Sequence, residues 1–112
     1  ERVRILVHVI DVAEAAPVDP GAAYRTVEEE LAAAGRALPE LPRVVAANKI
    51  DLPHEEPLAR LVAHCAGIGI PCFPVSAATG AGVAALRRGL YRLLQEVREE
   101  RHARPVPHAA AG

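Results

Sequence analysis

The sequence is poor in net charge, cysteine and aromatic residues. The 112 residues carry a formal net charge of −1, with two cysteines, 3% aromatic residues and no methionine or tryptophan. A charge so near zero provides no general attraction to nucleic acids or anionic membranes. No apolar run approaches the roughly 18 residues that a membrane-spanning helix needs, and no secretory signal pattern is present. We therefore expect a cytoplasmic protein with no membrane partner.

The two cysteines do not indicate a metal site or a disulfide. Cys65 and Cys72 form no Cys-x-x-Cys pair, and no histidine stands at zinc-finger spacing from them. We interpret them as partly buried free thiols in a reducing compartment. The sequence offers no candidate metal ligand and no candidate catalytic residue.

Apolar segments and helical periodicities alternate along the chain. Apolar segments rich in β-branched residues predict buried strands, and apolar residues at helical spacing predict amphipathic helices. The predicted order is strand 3–11, a helix beginning at Asp19-Pro20, strand 43–48, helix 54–66, strand 71–75 and helix 81–100. This alternation predicts parallel strands joined by crossovers, an α/β layered fold. Residues 1–100 would form the domain, and 101–112 a linker or frayed tail.

Each predicted helix has an apolar face that we expect to be buried. The expected buried residues are Tyr24, Val27, Leu31 and Ala34 in the first helix, Leu58, Leu61, Val62 and Cys65 in the second, and Val83, Leu86, Leu90, Leu93, Leu94 and Val97 in the third.

The first and third predicted strands differ in how well they suit a sheet edge. Two prolines confine strand 71–75 to an edge. Strand 3–10 has no edge protection beyond Arg4 and His8, and His8 is interpreted as a hydrogen-bonded core residue. A bare apolar edge invites aggregation. We therefore predict that strand 3–10 is central, and that a segment upstream of it pairs with it.

Lysine occurs once, at Lys49, within the segment Asn48-Lys49-Ile50-Asp51 that directly follows the second predicted strand. A second loop, Ser76-Ala77-Ala78, follows the third strand. Ligands of open parallel sheets bind at the carboxyl ends of the strands. Neighbouring strands would bring these two loops together and form one site.

Asp51 indicates the chemistry of this site. A carboxylate accepts two parallel N–H bonds, and the guanine edge offers two such donors, the ring N1–H and the exocyclic amino group. Adenine has no N1–H, so Asp51 would select guanine. The alternative is that residues 48–51 form only a turn, because Asn and Asp are common in turns.

The other residues of the two loops fit supporting roles. Asn48 can tie the loops together and reach the purine. The apolar stem of Lys49 can cover the purine face while its ammonium stays solvated or binds carbonyls of a phosphate loop, which the planar fork of arginine would not do equally well. Ser76 can hold Asp51 through its hydroxyl, and the small Ala77 leaves its N–H accessible to the base oxygen.

These motifs resemble the fourth and fifth guanine-nucleotide motifs of the P-loop GTPases, with Ala78 completing the second. Residues 1–97 resemble the second half of the GTPase domain of the Obg family, through Tyr24-Arg25-Thr26 with Glu30-Leu31, and through the segments "HVIDV", "LPELPRVVAANKIDLP" and "FPVSAATGAGVAALRRGLYRLL". The resemblance implies a three-layer, Rossmann-like fold, GTP or GDP as ligand, magnesium in the intact protein, and work with the large ribosomal subunit during its assembly.

The sequence also departs from that family. It contains neither G-x-x-x-x-G-K-[ST] nor D-x-x-G, so the family's phosphate loop, switches and magnesium ligands are absent from these 112 residues. In the family they precede the strand "VRILVHVI". The chain therefore resembles the base-recognition half of a GTPase domain, with the first half of the sheet missing. We expect at most weak guanine binding and no GTP hydrolysis from these residues alone.

Four other interpretations stay open. The loop "ATGAGV" could bind an anion at a helix N-terminus or only lead into the helix. Arg87, Arg88 and Arg92 could contact RNA or form a solvated face. Asp11 ends the first strand, as the phospho-accepting Asp does in response-regulator receivers, which would make the chain a non-enzymatic α/β signalling module. The chain could also be a purely structural relative of the GTPases that serves as an interaction domain.

Overall fold

The computed structural model describes residues 4–34 and 41–103, without the side chains of 101–103. Its elements in chain order are β1 (Leu6–Asp11), α1 (Pro20–Ala33), β2 (Arg43–Asn48), α2 (Glu55–Ile68), β3 (Cys72–Val75) and α3 (Val83–Ala103). The three strands form one parallel sheet in the order β1-β2-β3. The predicted α/β fold is confirmed, and so is the edge position of the third strand. None of the helices within the described ranges is long and apolar enough to cross a membrane.

Local sequence signals explain where the helices begin and end. The Asp19 carboxylate caps α1 by accepting the N–H groups of Gly21 and Ala22, which satisfies two donors that have no partner inside the helix. Helix α2 continues past Gly67, two residues beyond the predicted end. It stops at Gly69, whose φ of 74° is left-handed. Helix α3 is described as far as Ala103, so residues 101–103 of the predicted tail are helical, and residues 104–112 lie outside the described residues.

The core lies between one face of the sheet and helices α1 and α2. It contains Ile10, Val12, Tyr24, Val45, Ala47, Leu61 and Cys65. Both cysteines are free, with Cys65 buried and Cys72 partly buried, as predicted. Burial raises the pKa of the Cys72 thiol to about 12. His8 is buried, as predicted. Its Nε2 lies 2.9 Å from Glu28 Oε2, an ion-pair distance. The two atoms do not form the predicted hydrogen bond.

The face of β1 that lies away from this core is exposed, although the sequence predicted a buried strand. Val7 and Val9 are 41% and 67% exposed, so the prediction that this strand is buried on both faces is wrong for the described residues. In the described sheet β1 pairs with β2 alone, and α3 packs on β3 rather than on this face of β1. The pairing with an upstream segment that would make β1 central stays a prediction. Val27 and Ala34 are exposed too, and Val27 lines an open groove of about 250 Å³ along β1. Their predicted burial is therefore wrong.

Leu61 and Val62 are neighbours in α2, and the helical periodicity predicted that both would be buried. Leu61 is fully buried, whereas Val62 is 42% exposed, so its predicted burial is wrong. Successive helical residues point about 100° apart, and the sheet covers only the direction of Leu61. We expect Leu61→Ala to lower the free energy of unfolding by about 2–5 kcal/mol, and Val62→Ala by less than about 1 kcal/mol. Urea unfolding of both variants checks this, and equal losses would contradict the packing described.

Candidate functional site

Two loops meet at the carboxyl edge of the sheet. Asp11, Asn48 and Val75 are register partners across the three strands, so all three strands end at the same level. The loop after β2 and the loop after β3 begin side by side there. The N–H of Ile50 donates to the Val75 carbonyl at 3.2 Å and joins them. The predicted meeting of the two motifs is confirmed.

Ser76 is the anchor of the second loop. Its side chain is fully buried, and its hydroxyl donates to Asp51 Oδ1 at 2.8 Å. The same hydroxyl accepts the N–H of Thr79 at 3.1 Å. The predicted contact between Ser76 and Asp51 is therefore present. It orients an exposed carboxylate whose two oxygens have lone pairs left for further donors.

Asn48 ties the loops together, as the sequence analysis predicted. Its Oδ1 accepts the N–H of Ala77 at 2.9 Å. The N–H for which we predicted a bond to a base oxygen thus has a protein partner in this structure. A base oxygen would have to share the Ala77 N–H with Asn48 Oδ1, or take the place of Asn48 Oδ1 as its acceptor. Ala77 and Ala78 are both exposed.

Lys49 has an unusual backbone and a partner that the sequence analysis missed. Its φ of 85° makes it the one non-glycine residue with a left-handed backbone among the residues that the structure describes. The ammonium, expected to be solvated or to bind a phosphate loop, donates to Asp11 Oδ2 at 2.8 Å. This bond is the main reason that the pKa of Asp11 lies below its ordinary value, and the bond from the Ala13 N–H lowers it further. The sequence did contain a signal for this contact, because Asp11 ends the strand that lies beside β2.

Gly82 closes the second loop against β3. A Cβ atom built on this glycine would lie 2.1 Å from the Pro74 carbonyl oxygen, and its φ is 76°. Side chains almost never approach backbone so closely, and L-residues avoid this φ. The sequence analysis treated Gly82 only as part of the loop "ATGAGV".

Two further candidates from the sequence, the arginines of α3 and Asp11, lie outside the two loops. Arg87, Arg88 and Arg92 surround Tyr91, which is 62% exposed, on the outer face of α3. This agrees with a solvated helix face, and RNA contact stays a prediction. Asp11, weighed above as a phospho-acceptor, uses both carboxylate oxygens for bonds within the protein.

Comparison with known proteins shows the family to which the sequence belongs. No family model matches the chain. The chain is 47% identical over 94 residues to GTPase Obg of Desulfosudis oleivorans, 42% over 97 residues to that of Syntrophobacter fumaroxidans, and 41% over 106 residues to that of Desulforudis audaxviator. These alignments cover 84%, 86% and 95% of this chain, but only 28%, 28% and 25% of the relatives. The chain thus spans about a quarter of the length of the curated relatives it matches. Over that length, the chain belongs to the Obg family of GTPases.

Proposed function

We propose that this chain binds guanine nucleotides, GTP or GDP, and that loops 48–51 and 76–78 recognise the base. The observation that carries the proposal is the bond from Ser76 to Asp51, which holds an exposed carboxylate at the carboxyl edge of the sheet. Guanine offers N1–H and the exocyclic amino group as two parallel donors, and a carboxylate accepts both. Adenine cannot satisfy both oxygens, and a site left partly unpaired rejects it.

The other loop residues would surround the base. The stem of Lys49 covers one face of the purine, and Asn48 reaches the purine edge. Ala77 and Ala78 are exposed beside Asn48, and a backbone N–H there would meet the base oxygen. Membership of a family named for its GTPases supports this assignment.

Phosphate binding and hydrolysis would need residues beyond these 112. The sequence has no phosphate-loop motif. Among the described residues, no group of three or more His, Cys, Asp or Glu side chains could hold a metal ion. We expect no GTP hydrolysis from this chain alone, because phosphoryl transfer depends on positioning the phosphates and their metal ion.

The unprotected edge of β1 supports a further part of the proposal. In the described sheet β1 pairs with β2 alone, and an open groove runs along β1 beside α1. Such an edge is a template for strand pairing. In the intact protein, the first half of the domain would pair with β1 and supply the phosphate and magnesium sites. Work with the large ribosomal subunit in the cytoplasm is the role that family membership supports for that intact protein.

A second candidate function is a non-catalytic interaction module related to the GTPases. The exposed face of β1 is the observation that favours it, since such a face suits partner binding as well as intramolecular pairing. The two candidates differ in nucleotide binding. A module of this kind would bind GDP and ADP equally poorly.

Equilibrium binding of GDP and ADP to the protein as its gene encodes it tests the proposal. We expect measurable GDP binding and at least about 100-fold weaker ADP binding, because two hydrogen bonds to a charged group are at stake. Fluorescent nucleotide titration, with unlabelled competitors, gives both dissociation constants. Equal affinities would contradict guanine recognition.

Replacement of Ser76 by alanine tests the orientation of Asp51. The substitution removes the 2.8 Å bond and leaves the carboxylate free to rotate. We expect the dissociation constant for GDP to rise about fivefold to tenfold. Thr79→Ala is the matched control, since Thr79 also loses a hydroxyl that accepts a backbone N–H in the same loop but does not touch Asp51. Equal effects of both substitutions would contradict a specific role for Ser76.

A further inference from the structure

Asp11 is held by two bonds at the end of β1. Its Oδ1 accepts the N–H of Ala13 at 2.9 Å, and its Oδ2 accepts the Lys49 ammonium at 2.8 Å. Because each carboxylate oxygen has a partner, the group is fixed in one orientation. Asp11 is also the register partner of Asn48, so it lies beside the start of the first site loop.

The turn after β1 is bonded to that same loop. The N–H of Val12 donates to the Asn48 carbonyl at 3.0 Å, and the N–H of Glu14 donates to the Pro53 carbonyl at 2.7 Å. Val12 itself is completely buried. Asp11 therefore stands at the start of a turn that is hydrogen-bonded to residues 48–53.

Lys49 is consequently held at both ends. Its left-handed backbone is closed by a turn in which the Leu52 N–H donates to the Lys49 carbonyl at 3.0 Å. Its ammonium is held by Asp11. A free lysine side chain samples many rotamers, and these two restraints leave the four-carbon stem few of them. A flat ligand that packs against the stem then meets a surface that is already ordered, which reduces the entropy lost on binding.

We propose that Asp11 is a positioning residue for guanine recognition, which holds the Lys49 stem in the orientation that covers the purine. The inference rests on the proposed function, and it assigns a role to a residue outside both site loops. Asp11 does not itself touch the nucleotide. Its effect passes through the ammonium of Lys49.

A double-mutant cycle for GDP binding tests this role in the protein as its gene encodes it. Asp11→Ala should weaken GDP binding about fivefold, the upper range for a half-exposed ion pair. Lys49→Met keeps an apolar stem but has no ammonium. In that background, Asp11→Ala should change the affinity less than about twofold, because no charge is left for Asp11 to hold.

Two further variants separate positioning from folding. Glu56→Ala removes the same charge and a salt bridge of similar length, 2.9 Å to Arg60, outside the site loops, and it should leave GDP affinity unchanged. Asp11→Asn keeps an acceptor for the Ala13 N–H while removing the charge. It therefore replaces Asp11→Ala in the cycle if the alanine variant does not fold, and the same coupling is expected.

The outcomes distinguish this inference from the proposed function. Failure of the unaltered protein to bind GDP would remove the proposed function and the inference together. Normal GDP binding by the unaltered protein, with no effect of Asp11→Ala, would overturn the inference alone. So would an effect of equal size in the Lys49→Met background, because Asp11 would then act through the turn at Ala13.

Discussion

Asp51→Asn should move the base preference of this protein from guanine to xanthine nucleotides. The asparagine amide offers one acceptor and one donor where the carboxylate offers two acceptors. Xanthine has a carbonyl oxygen where guanine has its amino group, so it suits the new pair. Hydrogen bonds to charged groups contribute about 1.5–3 kcal/mol each. One such bond is lost and the other becomes a neutral one, so GDP affinity should fall by at least about 10-fold to 100-fold. Competition between GDP and xanthosine diphosphate measures the change.

Asp19→Asn is the matched control for this exchange. Asp19 is an exposed cap of α1 rather than a site residue, and asparagine caps helices about as well as aspartate. Its base preference should stay with guanine. If Asp51→Asn lowered the binding of both nucleotides equally, Asp51 would be structural, and the turn interpretation of residues 48–51 would gain support.

Gly82→Ala should be among the most destabilising single-methyl additions in the chain. Two terms add at this position. A left-handed φ costs an L-residue about 1–2 kcal/mol, and the new Cβ would lie 2.1 Å from the Pro74 carbonyl oxygen, which the strand holds in place. Overpacking of this kind typically costs about 1–3 kcal/mol more. We expect the free energy of unfolding to fall by about 2–5 kcal/mol in urea unfolding.

Gly80→Ala isolates the first term. Gly80 has a φ of 85°, but a Cβ there would meet nothing within 4 Å. It should therefore lose only the conformational part, about 1–2 kcal/mol. A Gly82→Ala variant no less stable than Gly80→Ala would show that the loop moves away from β3 without cost, and the close packing described at this loop would be wrong.

The site loops could be predicted because their signals are local. Asn48 to Asp51 and Ser76 to Ala78 each follow an apolar strand, and parallel strands bring such loops together. The contact between Ser76 and Asp51 followed from their chemistry once the strands were taken as neighbours. The start of α1 was predictable for the same reason, since Asp19 acts on the chain next to it.

What could not be predicted depends on tertiary contacts. The bond between Asp11 and Lys49 joins residues 38 positions apart, and each side chain has other plausible roles when considered alone. The burial of Leu61 and the exposure of Val62 depend on where the sheet lies relative to α2. The exposure of Val27 follows from the open edge of β1. Helical periodicity gives a face of the helix, but it does not give the extent of the surface that covers it.

The most direct test of guanine recognition is a map of backbone amide chemical shifts with and without GDP, recorded on the isotope-labelled protein as its gene encodes it. The account predicts that shifts on GDP addition concentrate in residues 48–51 and 76–78, including the Ala77 N–H now donated to Asn48. ADP at the same concentration should leave these amides unmoved. GDP binding that shifts other amides while these two loops stay unchanged would contradict the account.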